Sequence, residues 1–207
     1  MKNMLKDAAV LFMITLAAGL ALGFFYQITK EPIARAEERA AKEAYAEVFP
    51  GAADFKEMDL FWPEDENWEN AWKEAGLEAV ELGTLLEALD SDQNLLGYVL
   101  TVTSHEGYGG DITFTMGIAL DGTLNGISIL DISETAGLGM KAESVLKPQF
   151  ANKKVPSFTY TKQGAMSDNQ IDAISGATIT TNAFTNAVNG GLYYFQTQLG
   201  GGGYEAE

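Results

Sequence analysis

An uncharged run of 19 residues, 8–26, does most to constrain what this chain can form, and Thr15 is its only clearly polar side chain. A helix of that length spans roughly 30 Å, which matches the hydrocarbon core of a bilayer. Three aromatic residues close the run at 24–26, as is typical of a membrane interface. The sequence therefore predicts a single transmembrane helix within a membrane anchor at residues 1–30.

A cleavable signal peptide is the alternative, because Lys2 and Lys6 would supply its positively charged first region. The apolar run is long for a signal peptide, and no small-residue cleavage site separates cleanly from it. An uncleaved anchor in the lipid bilayer is therefore the preferred prediction. The Lys and Arg residues on the two sides of the span are nearly balanced, so they leave its orientation open.

Charge and residue usage limit the function of the remaining chain. The net charge is −16 and there is no basic cluster, so we expect no nucleic acid among the partners. There is no cysteine, which excludes disulfides, cysteine-ligated iron–sulfur clusters and a lipoprotein anchor. No metal-ligand spacing, nucleophile–base pair or Walker-type loop is present, so we predict no catalytic residue and no metal site. His105, the single histidine, is expected to be a surface residue or one satisfied by its neighbours.

The segment after the anchor, residues 31–94, is predicted to hold a helical stalk and an acidic, aromatic wrap. Pro32 is suited to the first turn of a new helix, which would run to Val48. Residues 52–79 show weak periodicity and are expected to form loop and a short helix. Their three tryptophans are expected to be packing anchors: Trp62, Trp68 and Trp72.

Strand patterns dominate the next part of the chain. They predict strands at residues 80–90, 97–104, 111–120 and 124–133. Short turns between them, including the hairpin signal Asp121-Gly122, indicate an antiparallel sheet. Two helices are expected after the strands, at 141–150 (ended by Pro148) and at 180–199. The expected fold class is α+β, with the main domain at 95–199 and a flexible, Gly-rich acidic tail at 200–207.

The run D-A-I-S-G-A-T at residues 172–178 stands at the start of the last predicted helix. Backbone N–H groups at a helix N-terminus are free to bind a phosphate, and Gly176 and the alanine after it let a bulky group approach. The plainer interpretation is that the helix is only capped, by Thr178, Thr180 or Thr181. These residues by themselves leave both interpretations open.

The same run resembles the flavinylation signature D-x-x-[ST]-G-A-[TS] of FMN-binding domains in bacterial ion-translocating redox complexes. Residues 107–112, G-Y-G-G-D-I, resemble the glycine-rich turn of that family, and residues 134–139, E-T-A-G-L-G, resemble its E-T-P-G-L-G loop with Ala136 in place of proline. The resemblance covers residues 95–195. The G subunit of Rnf-type ferredoxin:NAD oxidoreductase fits best, and the usually longer C subunit of Na⁺-translocating NADH:quinone reductase is the sister candidate.

The resemblance implies an antiparallel-sheet FMN-binding domain in a membrane-anchored electron-transfer subunit, one that is not catalytic alone. Thr178 would carry FMN covalently as a phosphodiester. The other cofactor-binding residues would be Tyr108, Glu134, Thr135, Gly137, Leu138, Gly139, Asp172, Ser175, Gly176 and Ala177. The implied partners are other subunits of a membrane redox complex and a flavin transferase that uses FAD as donor. The soluble domain would lie on the extracytoplasmic side of the membrane.

Physical alternatives remain beside the resemblance. The glycines of 107–110 suit either an anion-binding nest or a plain bulged turn. Those of 137–139 suit either contact with an isoalloxazine ring or a simple turn. A membrane-tethered flavin-binding sensing or assembly module is a second functional class. A pilin-like surface protein is a third, although the acidic residue expected near the start of its apolar segment is missing.

Overall fold

A computed structural model describes residues 2–63 and 67–200, and the chain divides into two compact units, Met1–Ala41 and Lys42–Glu207. Helix α1 covers Lys2–Val48. It is the one helix in the described part of the chain that is long and apolar enough to cross a membrane. Its large apolar side chains over 10–28 are exposed, so the run predicted to span a bilayer is confirmed as a candidate transmembrane helix.

The helix start predicted at Pro32 is wrong, because α1 continues through this residue. A proline inside a helix removes one backbone hydrogen bond and costs roughly 3 kcal/mol. Strong helix formers surround it, and long helical flanks on both sides hold the adjoining turns in place. The ion pair of Arg35 with Glu31, at 2.6 Å, links residues on the two sides of the proline.

Five strands form one sheet in chain order, and the sheet is antiparallel, as predicted. They are β1 Asp54–Met58, β2 Val80–Leu89, β3 Leu95–Ser104, β4 Ile112–Ala119 and β5 Leu124–Ile132. Strands β2 to β5 match the four predicted ones. Strand β1 contradicts the expectation of loop there. It is an edge strand with mostly exposed side chains, so it shows no alternating pattern in the sequence.

The hairpin predicted at Asp121-Gly122 joins β4 to β5. The Asp121 carboxylate accepts hydrogen bonds from the backbone N–H and the hydroxyl of Thr123, both at 3.0 Å. The N–H of Gly122 donates to the carbonyl of Ala119 at 2.9 Å. These bonds close the turn and set the register of β4 and β5, the last two strands of the sheet.

The long C-terminal helix packs on the sheet, and a second, short helix adds Trp72 to the same core. Helix α2, Asn67–Glu74, is the short helix expected in 52–79, and helix α4, Thr178–Gln198, is the long one expected at the C-terminal end. The predicted apolar face of α4 is buried, at Phe184, Val188, Leu192 and Phe195. The tryptophans are confirmed as packing anchors, since Trp62 stacks on Trp68 at 4.3 Å and meets Trp72 edge-on at 5.7 Å.

The region between the sheet and α4 is more irregular than predicted. It contains 3₁₀ turns at Gly139–Lys141 and Lys147–Phe150 around helix α3, Ala142–Val145. Pro148 does not end a helix there, because it lies in the first turn of the second 3₁₀ segment, where its fixed φ fits. Two parallel three-residue strands were missed, β6 Thr159–Thr161 and β7 Gln170–Asp172, because they are too short to show a period. Residues 201–207 of the tail predicted at 200–207 lie outside the described residues.

Candidate functional site

The start of α4 and two loops surround a cavity of about 490 Å³. Its lining residues are Tyr108, Glu134, Thr135, Leu138, Gly139, Gly176, Ala177, Thr178, Ile179 and Thr180. Eight of these were predicted as cofactor-binding residues from sequence. Ile179 was missed, and Thr180 was considered only as a cap or an alternative attachment point. Both follow Thr178 on the first helical turn, so helical geometry was the signal that pointed to them.

The first turn of α4 is open toward a ligand. Its N-cap is Ala177, and no side chain caps the helix, so the capping interpretation of the threonines is wrong. The first backbone bond that closes the helix runs from the N–H of Thr181 to the carbonyl of Ala177, at 3.0 Å. The N–H groups before it have no partner within the helix, and the positive end of the helix dipole lies here. This end of the cavity is therefore suited to a phosphate.

The three threonines of the first turn differ in their surroundings. The hydroxyl of Thr181 is buried; it donates to the carbonyl of Ala177 at 2.9 Å and accepts from the N–H of Ile174 at 3.1 Å. Thr180 lines the cavity but is only 2% exposed. Thr178 is half-buried and lines the cavity. Among the three, Thr178 is the one whose side chain an incoming group reaches from solvent.

Gly176 shapes the turn that leads into α4. Its φ of +81° lies in the left-handed region, which glycine adopts without steric cost. A Cβ added here would also lie 3.2 Å from Cδ2 of Leu138. Both observations explain why glycine is found at this position of the D-A-I-S-G-A-T run.

The opposite side of the cavity is built around Glu134. Its Oε1 accepts hydrogen bonds from the backbone N–H groups of Tyr108, at 2.7 Å, and Gly109, at 3.4 Å. The turn at 107–110 is therefore a nest for an anion, and the anion is the protein's own carboxylate. This contact joins two loops that are 26 residues apart in the chain.

The other oxygen of this carboxylate, Oε2, is buried and has no hydrogen-bond partner in the described part of the protein. Gly139 lies beside it. A Cβ at Gly139 would fall 2.7 Å from Oε2 and from Cβ of Glu134, and 2.7 Å from Oγ1 of Thr180. These atoms pack too closely against Gly139 to admit any side chain, which explains why glycine is found at this position.

Three predicted site residues do not line this cavity: Gly137, Asp172 and Ser175. The carboxylate of Asp172 accepts from the backbone N–H of Ala165 at 2.7 Å. Its main chain is bonded to the side chain of Gln149, through N–H to Oε1 at 2.7 Å and through C=O from Nε2 at 3.1 Å. Asp172 therefore fastens the preceding loop, and any role in cofactor binding stays a prediction.

His105 is confirmed as a residue satisfied by its neighbours. Its Nδ1 lies 3.0 Å from Oδ1 of Asp111, and its Nε2 lies 3.1 Å from Oε2 of Glu81. The bond to Asp111 contributes most to the raised pKa of His105; burial opposes this rise, and the bond to Glu81 adds to it. Because His105 and Asp111 flank the 107–110 turn, their contact closes the base of that turn.

The cavity fits FMN in its chemistry. The open helix terminus suits the phosphate, and the buried oxygen of Glu134 needs a hydrogen-bond donor such as a hydroxyl. Exposed apolar side chains at the mouth, Tyr108, Leu138 and Ile179, offer contact for a planar ring. A cavity of this size with an apolar mouth and a few polar groups is typical of a cofactor site.

The sequence model of the FMN-binding domain family matches residues 107–193, which contain every residue that lines this cavity. The chain is thus an FMN-binding domain protein with an N-terminal candidate membrane span. The G subunit of the Na⁺-translocating ferredoxin:NAD⁺ oxidoreductase complex of Acetobacterium woodii is 32% identical to it over 94% of this chain and 93% of the relative. The chain therefore belongs to the family of G subunits of ion-translocating oxidoreductase complexes, as its motifs indicated.

Two further comparisons describe the breadth of the similarity. The G subunit of an ion-translocating oxidoreductase complex of Methanosarcina acetivorans is 28% identical over 96% of this chain and 98% of the relative. The crystal structure of NqrC from Shewanella oneidensis gives a TM-score of 0.45 at 20% identity, and covers 55% of this chain and 58% of that one.

Proposed function

We propose that this chain carries FMN covalently, as a phosphodiester on Thr178, and relays electrons within an ion-translocating ferredoxin:NAD⁺ oxidoreductase complex. One observation carries the proposal: Thr178 is the half-buried hydroxyl of the first turn of an uncapped helix, in the wall of the cavity. The similarity over the whole chain to a G subunit of such a complex supports the assignment of the complex.

The attachment is a phosphoryl-group transfer from FAD, made by a separate flavin transferase. Oγ1 of Thr178 forms a bond to the flavin-side phosphorus and loses its proton to a base. The pyrophosphate P–O bond of FAD breaks, and AMP leaves. The phosphodiester keeps one negative charge at the helix N-terminus, where the dipole stabilises it by about 0.3–1 kcal/mol. Asp172, Ser175 and Gly176 form part of the sequence that the transferase recognises.

Each side of the cavity has a separate task in holding the cofactor. Bound FMN supplies the one- and two-electron redox chemistry. The backbone N–H groups at the start of α4 hold the phosphate, and Leu138 and Ile179 shield one part of the ring from water. The covalent bond prevents loss of the cofactor during repeated reduction and oxidation.

The remaining subunits of the complex complete the function. The apolar run 8–26 contains no ionisable side chain apart from the Tyr26 phenol at its end, so the path of the translocated ion lies in partner subunits. We place the FMN domain on the extracytoplasmic side of the membrane, where α1 anchors it in the bilayer. The strongly acidic composition supports this side, because anionic lipids of the cytoplasmic leaflet repel such a domain. Protease access in intact cells and in inverted vesicles tests the side.

Co-expression with a flavin transferase tests the attachment. The chain is run on a denaturing gel, and in-gel fluorescence and intact mass are measured. We expect one fluorescent band whose added mass equals FMN less one water. The Thr178→Val variant should lose both signals completely, because it keeps the shape of threonine but has no hydroxyl.

Thr178→Ser is the matched control, since it restores a hydroxyl at the same position and should recover fluorescence. Thr181→Val controls for changes in the helix itself and should stay fluorescent. A fluorescent Thr178→Val protein would move the attachment to another residue. A wild-type chain without added mass would refute covalent attachment.

A further inference from the structure

Glu134 is a buried carboxylate with only half of its hydrogen-bonding capacity used. It is 9% exposed and lines the cavity. Oε1 is held by the backbone N–H groups of Tyr108 and Gly109, whereas Oε2 has no partner among the described residues. An unpaired buried carboxylate oxygen is costly, so native proteins rarely leave one without a donor.

The missing donor must come from whatever fills the cavity. No described side chain donates to Oε2, and Glu134 lines the cavity, so the cavity is where a donor can approach. Oε2 of Glu134 and Oγ1 of Thr180 would each lie 2.7 Å from a Cβ at Gly139, so these two oxygens lie close together, and both residues line the cavity. This part of the cavity is polar, and it suits a ligand group that bears hydroxyls.

Depth within the cavity separates the parts of the cofactor. Glu134 and Thr180 are almost fully buried and form the floor, whereas Leu138, Ile179 and Tyr108 are 40%, 53% and 71% exposed and stand at the mouth. In FMN the hydroxyl-bearing ribityl chain lies between the phosphate and the ring. A phosphate fixed at the first turn of α4 brings this chain to the polar floor, and the apolar mouth receives the ring.

We propose that Oε2 of Glu134 accepts a hydrogen bond from a ribityl hydroxyl of the attached FMN, and so fixes the path of the cofactor between Thr178 and the ring. The inference rests on the proposed attachment. Glu134 is a positioning residue: it holds the cofactor through its non-reacting chain, and the turn at 107–110 holds Glu134. Because both donors to Oε1 are backbone groups, the carboxylate is in place before the cofactor arrives.

A coupling experiment tests this hydrogen bond on the full chain in detergent. The transferase loads wild-type and Glu134→Gln proteins with FAD or with FAD analogues that lack the 2′, 3′ or 4′ ribityl hydroxyl. The readouts are the rise in melting temperature on flavinylation and the visible circular dichroism of the flavin. In the wild type, one of the three analogues should lose at least half of this rise. In Glu134→Gln that analogue should differ little from natural FMN.

Glu106→Gln is the matched control, because the Glu106 carboxylate lies in the neighbouring loop, bonds to Nδ2 of Asn186 at 2.7 Å and does not line the cavity. It should respond to the analogues as the wild type does. The proposal is overturned if no hydroxyl deletion changes the rise in the wild type, or if the loss is equal with and without Glu134. If Glu134→Gln fails to fold, Glu134→Asp replaces it in the comparison, since the shorter side chain withdraws the carboxylate from the hydroxyl. If the wild-type chain takes up no flavin, the proposed covalent attachment is refuted, and not the role of Glu134.

Discussion

The two walls of the cavity are built in different ways. The helix wall, residues 176–180, is one continuous stretch whose shape follows from a left-handed glycine and an uncapped first turn. The loop wall, formed by Tyr108, Glu134, Thr135, Leu138 and Gly139, joins segments far apart in the chain through a buried carboxylate. Local sequence encodes the first wall, and tertiary packing encodes the second. Three substitutions test this difference, from the largest expected effect to the smallest.

Phe184→Ala removes support from beneath the helix wall. The ring is fully buried and stacks on Phe114 with ring centres 5.4 Å apart. Truncation leaves a cavity and should lower the free energy of unfolding by about 3–5 kcal/mol. Denaturant unfolding of the flavin-free chain, followed by tryptophan fluorescence, measures it. Ile179→Ala on the same helix is half-exposed and should cost only about 0.5 kcal/mol. Equal losses would mean that α4 is not held by its buried face.

Gly139→Ala places a methyl group between the two walls. The new Cβ would meet Glu134 and Thr180 at 2.7 Å, so packing must shift. Such overpacking should lower the free energy of unfolding by about 1–3 kcal/mol, and it should reduce flavin loading by blocking the floor. Gly51→Ala is the control, since a Cβ there meets nothing within 4 Å. A Gly139→Ala chain as stable and as fully loaded as Gly51→Ala would show that the loop wall is loosely packed.

His105→Gln acts on the loop wall from the base of the 107–110 turn. The bond to Asp111, with help from Glu81, raises the pKa of His105 in the folded protein above its usual 6.5. The protonated form therefore stabilises the fold fully below pH 6.5, and this contribution is lost as the pH rises through the folded-state pKa. Unfolding curves at several pH values should show this small loss in the wild type only. If the unfolding free energy of His105→Gln depends on pH as that of the wild type does, the contact of His105 with Asp111 is not the cause of this dependence.

Sequence patterns predicted most of the sheet and one wall of the cavity. Strands β2 to β5 alternate or carry long apolar runs, and the Asp121-Gly122 turn fixes the β4–β5 hairpin, so local rules suffice. Strand β1 is an exposed edge strand, and β6 and β7 have three residues each, so no period reveals them.

In the cavity, the D-A-I-S-G-A-T run by itself indicated a helix start that either binds a phosphate or is capped, and the resemblance favoured the first. The pairing of Glu134 with Tyr108 was not predicted. No rule of spacing connects a carboxylate to backbone groups 26 residues earlier. The resemblance supplied the two loops as candidates, but only the folded chain shows that one binds the carboxylate of the other. For the same reason Thr180 was considered as a cap, although its side chain forms part of the cavity floor.

The backbone hold on Glu134 has a consequence for how this loop varies among relatives. Every amino acid except proline offers the N–H that Tyr108 provides. The residue at 108 can therefore be substituted while the carboxylate of Glu134 stays in place. Natural variation at 108 should therefore alter what the mouth of the cavity presents to a neighbouring protein and leave its floor unchanged. A proline at 108 is the one replacement that would break this independence.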